Sequence, residues 1–293
     1  LIKFLSIARE IDIGLITEDR LITEAGRKLL RIASDGIFET DNVFNINRDS
    51  FIYLKQLLKT SIDVSGSIVR PFIAVIKCLT ELEFLSYDEF TYFVPLIIDY
   101  ESAKQIISDI KLYREGKISP EEIIYKRLMQ MDNYKLAREE FIASDVDENL
   151  ICLVGMNRKS RSYDKPYYKL YENLKKVFLD GISDYESLLN SAKNINQKPG
   201  TLWRSLLFKT TNIGVVRKNG KSSIHKQCPF INCKNETELK KVFFKYLHVF
   251  KAMATLSDYF DLNRRYFNIT DTLIFEDRMI KLDMIPKYYF KEI

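Results

Sequence analysis

Eight residues occur twice in the chain. Leu15-Ile16-Thr17-Glu18-Asp19-Arg20-Leu21-Ile22 near the start returns near the end as Leu273-Ile274-Phe275-Glu276-Asp277-Arg278-Met279-Ile280. The copies differ only at Thr17/Phe275 and Leu21/Met279. Each copy places apolar residues on both sides of a Glu-Asp-Arg tip, which predicts two short β-strands joined by a tight polar turn.

Helical patterns surround both copies of this repeat. Residues 2–13 have apolar residues at helical spacing, and Thr23 is placed to cap a helix that opens Glu24-Ala25-Gly26. A third combination of helix and hairpin is predicted later in the chain. The helix at 201–208 runs into a strand-like stretch that contains Asn219-Gly220, which predicts a hairpin turn. Helices capped by short hairpins are typical of winged-helix modules. The predicted fold class is therefore mainly α with short β-hairpins, in several winged-helix or helix-turn-helix-like modules.

The remaining helices follow from periodicity and capping residues. They are predicted at 51–58, 70–85, 102–114, 121–143, 167–178, 236–256 and 257–266. Ser119 with Pro120 is expected to start one of them, and Ser86 with Glu89 has the spacing of a capping box. Asp88 and Glu89 would then lie on the leading turn of a helix, where DNA would repel them. A scaffold role is predicted for this acidic pair.

Charge divides the chain more sharply than the net value of +5 indicates. Residues 1–150 contain 19 Lys and Arg against 26 Asp and Glu, whereas residues 151–293 contain 26 against 14. A basic half gains affinity for a polyanion through counterion release, and an acidic half is repelled. We therefore predict an acidic region, 1–149, that is a scaffold with part of the recognition surface, and a basic region, 150–293, that is the main DNA-binding part. Uneven surface charge without a polyanion partner is the alternative.

Composition excludes several classes of protein. No apolar run approaches the roughly 20 residues of a membrane span, and no secretory signal segment opens the sequence. Four cysteines are too few for a disulfide framework in so long a chain, which favours a reducing compartment. A cytoplasmic protein with no membrane partner is expected, and the Leu1 start indicates a part of a longer protein.

Two groups of residues are candidates for metal chemistry. Asp99, Asp109 and Lys111 match the loose acid, acid-x-Lys spacing of Mg²⁺-dependent nucleases, but a helix over 102–114 would scatter them. No catalytic residue is therefore predicted. The second group could supply four zinc ligands, although the Cys-x₄-Cys spacing is wider than that of most zinc ligand pairs. The favoured interpretation is two buried thiols beside two ordinary histidines. Its members are His225, Cys228, Cys233 and His248.

Basic residues close to predicted hairpins are the candidates for DNA contact. Arginine reads guanine bidentately, asparagine reads adenine, and either arginine or lysine can hold phosphate. The group that precedes the second repeat is the strongest candidate, with solvated arginines and a core Tyr266 and Phe267 as the alternative. The full candidate set is Asn263, Arg264, Arg265, Tyr266, Arg217, Lys218, Lys221, Lys226, Lys209, Arg158, Lys159, Arg161 and Lys165.

Three segments resemble AlwI-type type IIS restriction endonucleases and their nicking relatives. These segments are 256–282, 20–30 and 70–79 with Leu85-Ser86. The resemblance implies a recognition region of winged-helix modules that binds a short asymmetric site in double-stranded DNA. It also implies a separate C-terminal nuclease domain that cuts outside the site with Mg²⁺.

This chain would then be the recognition region, without catalytic residues or a cofactor of its own. A monomer is expected, with a second subunit or dimerisation for cutting both strands. A winged-helix transcription or replication regulator and a protein-interaction scaffold are the alternatives. A regulator of that kind normally binds a palindrome as a dimer.

Overall fold

A computed structural model describes residues 13–64, 66–156, 161–211 and 214–291, with only the backbone of Arg161 and Lys291. The helix predicted at 2–13, apart from Ile13, and the candidates Arg158 and Lys159 lie outside the described residues. The described chain is mainly helical with small antiparallel strand pairs, which confirms the fold class at that level. In these ranges no helix is both long and apolar enough to cross a membrane.

The helices and strands are as follows in chain order. The helices are α1 (Glu24–Asp35), α2 (Arg48–Lys59), α3 (Pro71–Leu82), α4 (Tyr87–Tyr92), α5 (Tyr100–Arg114), α6 (Pro120–Leu128), α7 (Asp132–Ala143), α8 (Glu148–Val154), α9 (Lys165–Phe178), α10 (Tyr185–Lys193), α11 (Gln197–Leu207), α12 (Glu236–Asp258), α13 (Phe260–Asn268) and α14 (Met284–Lys291). The strands are β1 (Ile62–Val64), β2 (Ser67–Val69), β3 (Phe84–Ser86), β4 (Thr210–Thr211), β5 (Gly214–Val215), β6 (Arg217–Lys218), β7 (Lys221–Ser222), β8 (Leu273–Glu276) and β9 (Met279–Leu282).

Two compact units divide the described chain. The basic unit is Ile124–Ala254, and the acidic unit combines the described residues up to Ile123 with those from Thr255 onward. By sequence, 124–254 contains 24 Lys and Arg against 13 Asp and Glu, and the rest contains 21 against 27. The predicted division after residue 149 falls inside the basic unit, so the DNA-binding roles attached to that division stay predictions.

The second copy of the repeat forms a regular hairpin in the acidic unit. Strands β8 and β9 pair antiparallel, and the tip residues Asp277 and Arg278 have φ of 50° and 59°, as a tight hairpin turn requires. Strand β3 adds to the other edge of β9, which gives the order β3-β9-β8. The Tyr87 amide donates to the Arg278 carbonyl at 3.0 Å. The hairpin is therefore fixed to the start of α4.

The first copy forms a different turn from nearly the same residues. It has one bridge, Ile16 with Ile22, and the Thr17 amide donates to the Leu21 carbonyl at 2.8 Å. The predicted strand pair is thus reduced to a single bridge around a wider turn. A Cβ on Gly26 would lie 2.3 Å from the Leu15 carbonyl oxygen, so glycine lets this turn pack directly on α1.

Aromatic rings hold α13 and β8 to the rest of the acidic unit. Phe267 of α13 lies 5.4 Å from Phe72 of α3 and 5.7 Å from Phe90 of α4, between ring centroids. Phe275 of β8 contacts the same Phe90 at 6.2 Å. These edge-to-face contacts hold the inner face of α13 on a rigid support, and its outer face is exposed.

Glu89 has the scaffold role predicted for the acidic pair, whereas Asp88 is exposed. Its carboxylate accepts from the Ser86 amide at 2.7 Å and from the Arg114 guanidinium at 2.8 and 2.9 Å. Arg114 also donates to the carbonyls of Leu82 and Phe84, at 3.2 and 2.6 Å. Glu89 is 2% exposed and the Arg114 side chain 25%, so a buried carboxylate and a partly exposed guanidinium join α5 to α4 and β3.

Two predicted helices end earlier than periodicity indicated. The helix predicted at 70–85 stops at Leu82 because Glu83 takes a φ of 67°, which frees residues 84–86 to form β3. The prediction of a single helix at 121–143 is wrong. It is α6 and α7, because the Met131 amide bonds to the Leu128 carbonyl in a tight final turn and Met131 is extended. Apolar periodicity continues across such a break, so it does not reveal the break.

The core of the basic unit contains a buried histidine. His248 of α12 lies 4.4 Å from the Phe244 ring and 5.1 Å from the Tyr134 ring, and it is 3% exposed. Burial lowers its pKa to about 3, with a smaller contribution from the Lys251 charge. The imidazole is therefore neutral at pH 7.

Acidification should destabilise the chain through His248. A histidine whose folded pKa lies below its unfolded value binds a proton only on unfolding, so stability is complete well above pH 6.5 and falls as the pH drops towards 3. We expect a loss of about 1.5 kcal/mol between pH 6.5 and pH 5, measured by denaturant titration of the full chain. His248→Phe should remove most of this slope, and His225→Gln should keep it. An unchanged slope in His248→Phe would rule out this residue as the cause.

Candidate nucleic-acid interface

The acid, acid-x-Lys candidates do not form a centre in the described chain. The Asp99 carboxylate accepts from the Ser102 amide at 2.7 Å and caps α5. Asp109 is buried within α5, and Lys111 is exposed on the same helix. Over the described ranges no group of three or more His, Cys, Asp or Glu side chains is placed to hold a metal ion.

The four zinc candidates are likewise not assembled within those ranges. Cys228 and Cys233 are buried free thiols, and burial raises the pKa of Cys228 to about 11 and raises that of Cys233. His225 accepts from the Gln227 amide at 3.2 Å through Nδ1. His248 is enclosed by rings, as described above.

Helix α13 presents one exposed arginine. Asp261, Arg265 and Asn268 form its exposed stripe at spacings of four and three residues. Arg264 is partly covered and donates to the Asp261 carboxylate at 3.3 Å, while Asn263 is buried at 8% exposure. Within the predicted group, Arg265 is therefore the cation best placed to meet a ligand, and Asn263 faces the core. Tyr266, also in that group, is half-buried.

The predicted Asn-Gly hairpin is confirmed. Asn219 and Gly220 form its tip with φ of 51° and 73°, and strands β6 and β7 pair on either side. Arg217, Lys218 and Lys221 are all exposed on this hairpin, hereafter the basic hairpin.

Glu186 of α10 anchors the basic hairpin. Its carboxylate lies 3.2 Å from the Arg217 guanidinium and accepts from the Ser222 hydroxyl at 2.9 Å. The Ser222 hydroxyl bond is the main cause of a lowered pKa for Glu186, so this group stays charged at neutral pH. The hairpin is held in one position on the helices of its own unit.

Of the other basic candidates, three are described with their side chains. Lys209 and Lys226 are exposed. Lys165 is exposed and pairs with Glu148 at 2.8 Å. Just before it, Asp164 is 1% exposed and pairs with Lys251 at 2.7 Å, so the start of α9 is held to α12. Arg158 and Lys159 are not described, and Arg161 is described by its backbone alone.

Sequence reasoning missed the helix pair formed by α10 and α11. Only residues 201–208 were predicted as helix, and α10 was not predicted. Three residues, 194–196, join the two helices. Polar residues at 197, 201 and 205 alternate with apolar positions 203 and 207, and this spacing would have indicated the full length of α11.

Comparison with known proteins identifies the family of the chain. The model of the AlwI restriction endonuclease family matches residues 11–293, which is nearly the whole chain. No curated protein and no solved structure matches it.

Proposed function

Since the chain belongs to the AlwI restriction endonuclease family, we propose that it binds double-stranded DNA at a specific sequence as the recognition part of a type IIS enzyme. Binding of DNA follows from membership of a restriction endonuclease family. The proposal adds that the described residues read bases, and that the two units contribute different kinds of contact.

The strand order in the acidic unit carries this proposal. A winged helix has the chain order helix, strand, helix, helix and hairpin, and its first strand pairs with the last strand of the hairpin. Elements α3, β3, α4, α13, β8 and β9 follow this chain order, and β3 pairs with β9. We infer a winged helix whose sequence is interrupted between its second and third helices by the segment that includes the basic unit.

In this arrangement α13 is the recognition helix. The recognition helix of such modules lies in the major groove and meets base edges. Its exposed stripe offers the Arg265 guanidinium, which can donate two hydrogen bonds to one guanine. The tip of β8 and β9, with Arg278 exposed, would be the wing.

The basic unit supplies the contacts to phosphate in this proposal. Its excess of Lys and Arg favours a polyanion, and the basic hairpin places three of these cations on an anchored support. We assign cleavage to none of the described residues. A separate Mg²⁺-dependent nuclease domain, a monomeric state and a cytoplasmic location stay predictions.

Removing the charges of the basic hairpin should weaken binding to all duplexes alike. We expect the triple Arg217→Ala, Lys218→Ala, Lys221→Ala variant to lower the slope of log affinity against log salt by about two to three units, because each phosphate contact contributes roughly 0.9. Fluorescence anisotropy with a labelled mixed-sequence duplex measures this slope. A triple alanine variant at Lys104, Lys111 and Lys117, which are exposed in the acidic unit, removes the same charge and should change the slope by less than about one unit. Equal effects of the two variants would contradict a specific role for the hairpin.

Replacing Arg265 should affect specificity more than general affinity. We expect Arg265→Ala to cost about 1–3 kcal/mol on the preferred duplex and to relax the preference at one base pair, with a smaller loss on unrelated duplexes. Arg264→Ala is the matched control, since Arg264 is tied to Asp261. Unchanged discrimination by Arg265→Ala would place base reading elsewhere.

A further inference from the structure

We propose that α11 is a second base-reading helix, which enters the major groove of duplex DNA beside phosphate contacts from the basic hairpin. This inference rests on the proposed function and extends it to a site in the basic unit. Three features of the described residues carry it: the geometry of α10 and α11, the composition of the outer face of α11, and the position of the hairpin.

Helices α10 and α11 have the connection of a helix-turn-helix. Two helices joined by a turn of three or four residues, often with a glycine, are the core of that motif, and three residues join these two. A Cβ at Gly200 would lie 2.1 Å from the Ile195 carbonyl oxygen and 3.1 Å from that of Ala192. Glycine at this position is what allows α11 to cross the end of α10 so closely.

Trp203 fixes the rotation of α11 about its axis. The indole is fully buried and lies 5.5 Å from the Phe243 ring and 5.3 Å from the Phe250 ring of α12. Gly200 and Leu207 are buried on the same side. The opposite side of the helix is thereby held outward.

The outer face of α11 consists of groups that hydrogen-bond to base edges. Thr201 and Ser205 are exposed four residues apart, and Gln197 is exposed at the start of the helix, where its φ is 57°. Lys198 and Arg204 flank them, half-exposed, and Arg204 donates to the Thr201 hydroxyl at 3.0 Å. Glutamine pairs bidentately with adenine, arginine with guanine, and Ser or Thr bonds to either.

This face differs from a helix surface that is merely solvated. Exposed helix faces usually carry acids and bases in pairs, as α9 does with Lys169 and Glu172 at 3.1 Å. None of the eleven residues of α11 is Asp or Glu. A face without negative charge avoids repulsion by the phosphates on both sides of a groove.

The basic hairpin follows α11 in the chain and is tied to its partner helix. The Glu186 carboxylate accepts from the Ser222 hydroxyl, and Glu186 lies in the first turn of α10, the first helix of this pair. Contacts to the DNA phosphates position a protein on the duplex, and contacts to the bases specify the sequence. The hairpin and α11 therefore provide the two kinds of contact within one unit.

Base preference of α11 variants tests the inference. The probe is the duplex that the full chain prefers in a selection from randomised 30-base-pair duplexes, together with a panel that changes one base pair at a time. We expect Gln197→Ala and Thr201→Ala each to lose about 10-fold affinity for this duplex and to lose discrimination at one or two adjacent base pairs. Their affinity for an unrelated duplex should change less than about 2-fold.

Thr237→Ala supplies the matched control, because Thr237 is an exposed threonine of α12 in the same unit. It should keep the whole preference. If the parent selects a sequence but both α11 variants discriminate like the parent at every position, α11 is not a base-reading helix and the proposed function stands. If the parent selects no sequence, the proposed function and this inference both fail. Unaltered circular dichroism of the variants shows that a lost preference is not caused by unfolding.

Discussion

Replacing Arg114 by alanine should lower the free energy of unfolding by about 3–5 kcal/mol, the cost of leaving a buried charge without its partner. Glu89 would keep its capping bond from the Ser86 amide but lose both guanidinium bonds. The carbonyls of Leu82 and Phe84 would lose their donor as well. This one side chain joins α5 to the sheet that supports α13.

Denaturant titration of the full chain by circular dichroism measures the effect. Lys77→Ala is the control, since Lys77 pairs with Glu81 at 2.9 Å but both side chains are about 40% exposed. Exposed pairs contribute less than about 1 kcal/mol, so the two variants should differ severalfold. Equal losses would mean that the pair at Arg114 is as solvated as the surface pair.

Trp203→Ala should be equally costly, by about 3–5 kcal/mol, because it leaves a large cavity among rings. Phe230, Phe243 and Phe250 all contact the indole, at centroid distances of 6.2, 5.5 and 5.3 Å. The loss should also weaken discrimination at the base pairs that α11 reads, since the ring sets the orientation of α11.

Two variants separate the consequences for folding and recognition. Trp203→Phe keeps an aromatic ring and should retain more stability than alanine. Ser205→Ala, on the exposed side of the same helix, should change stability by less than about 0.5 kcal/mol. A stable Trp203→Ala variant would contradict the assigned core.

Local features of the sequence predicted three helix caps and one turn correctly. Thr23 accepts from the Gly26 amide, Ser119 from the Glu122 amide and Ser86 from the Glu89 amide, as their spacing predicted. The Asn219-Gly220 turn also forms where it was expected. Each depends on groups within four residues, so the sequence alone contains the necessary interactions.

Long-range pairing was not accessible in the same way. The repeat predicted two similar hairpins, yet only the second gains β3, from about 190 residues earlier, as a partner that continues its sheet. Nothing within the eight residues distinguishes the copies in this respect. Burial of Asn263 beside exposed Arg265 likewise depends on which side of α13 meets α3 and α4.

The same distinction between local and long-range features applies to the candidate interface. Charge identified the basic hairpin, because a group of cations can be seen in the sequence without knowledge of its contacts in the fold. The outer face of α11 went unrecognised because Gln197, Thr201 and Ser205 are uncharged and become a surface only once Trp203 and Gly200 are buried.

Selection of duplexes by the full chain tests sequence-specific recognition of DNA. The chain is incubated with randomised 30-base-pair duplexes at about 150 mM salt, and the affinity for the enriched sequence is compared with that for a shuffled version. We expect one short asymmetric site and a preference of at least about 10³-fold, the lower limit of specific complexes. Absence of enrichment would rule out sequence-specific recognition, and a two-fold symmetric site would indicate a dimeric regulator instead.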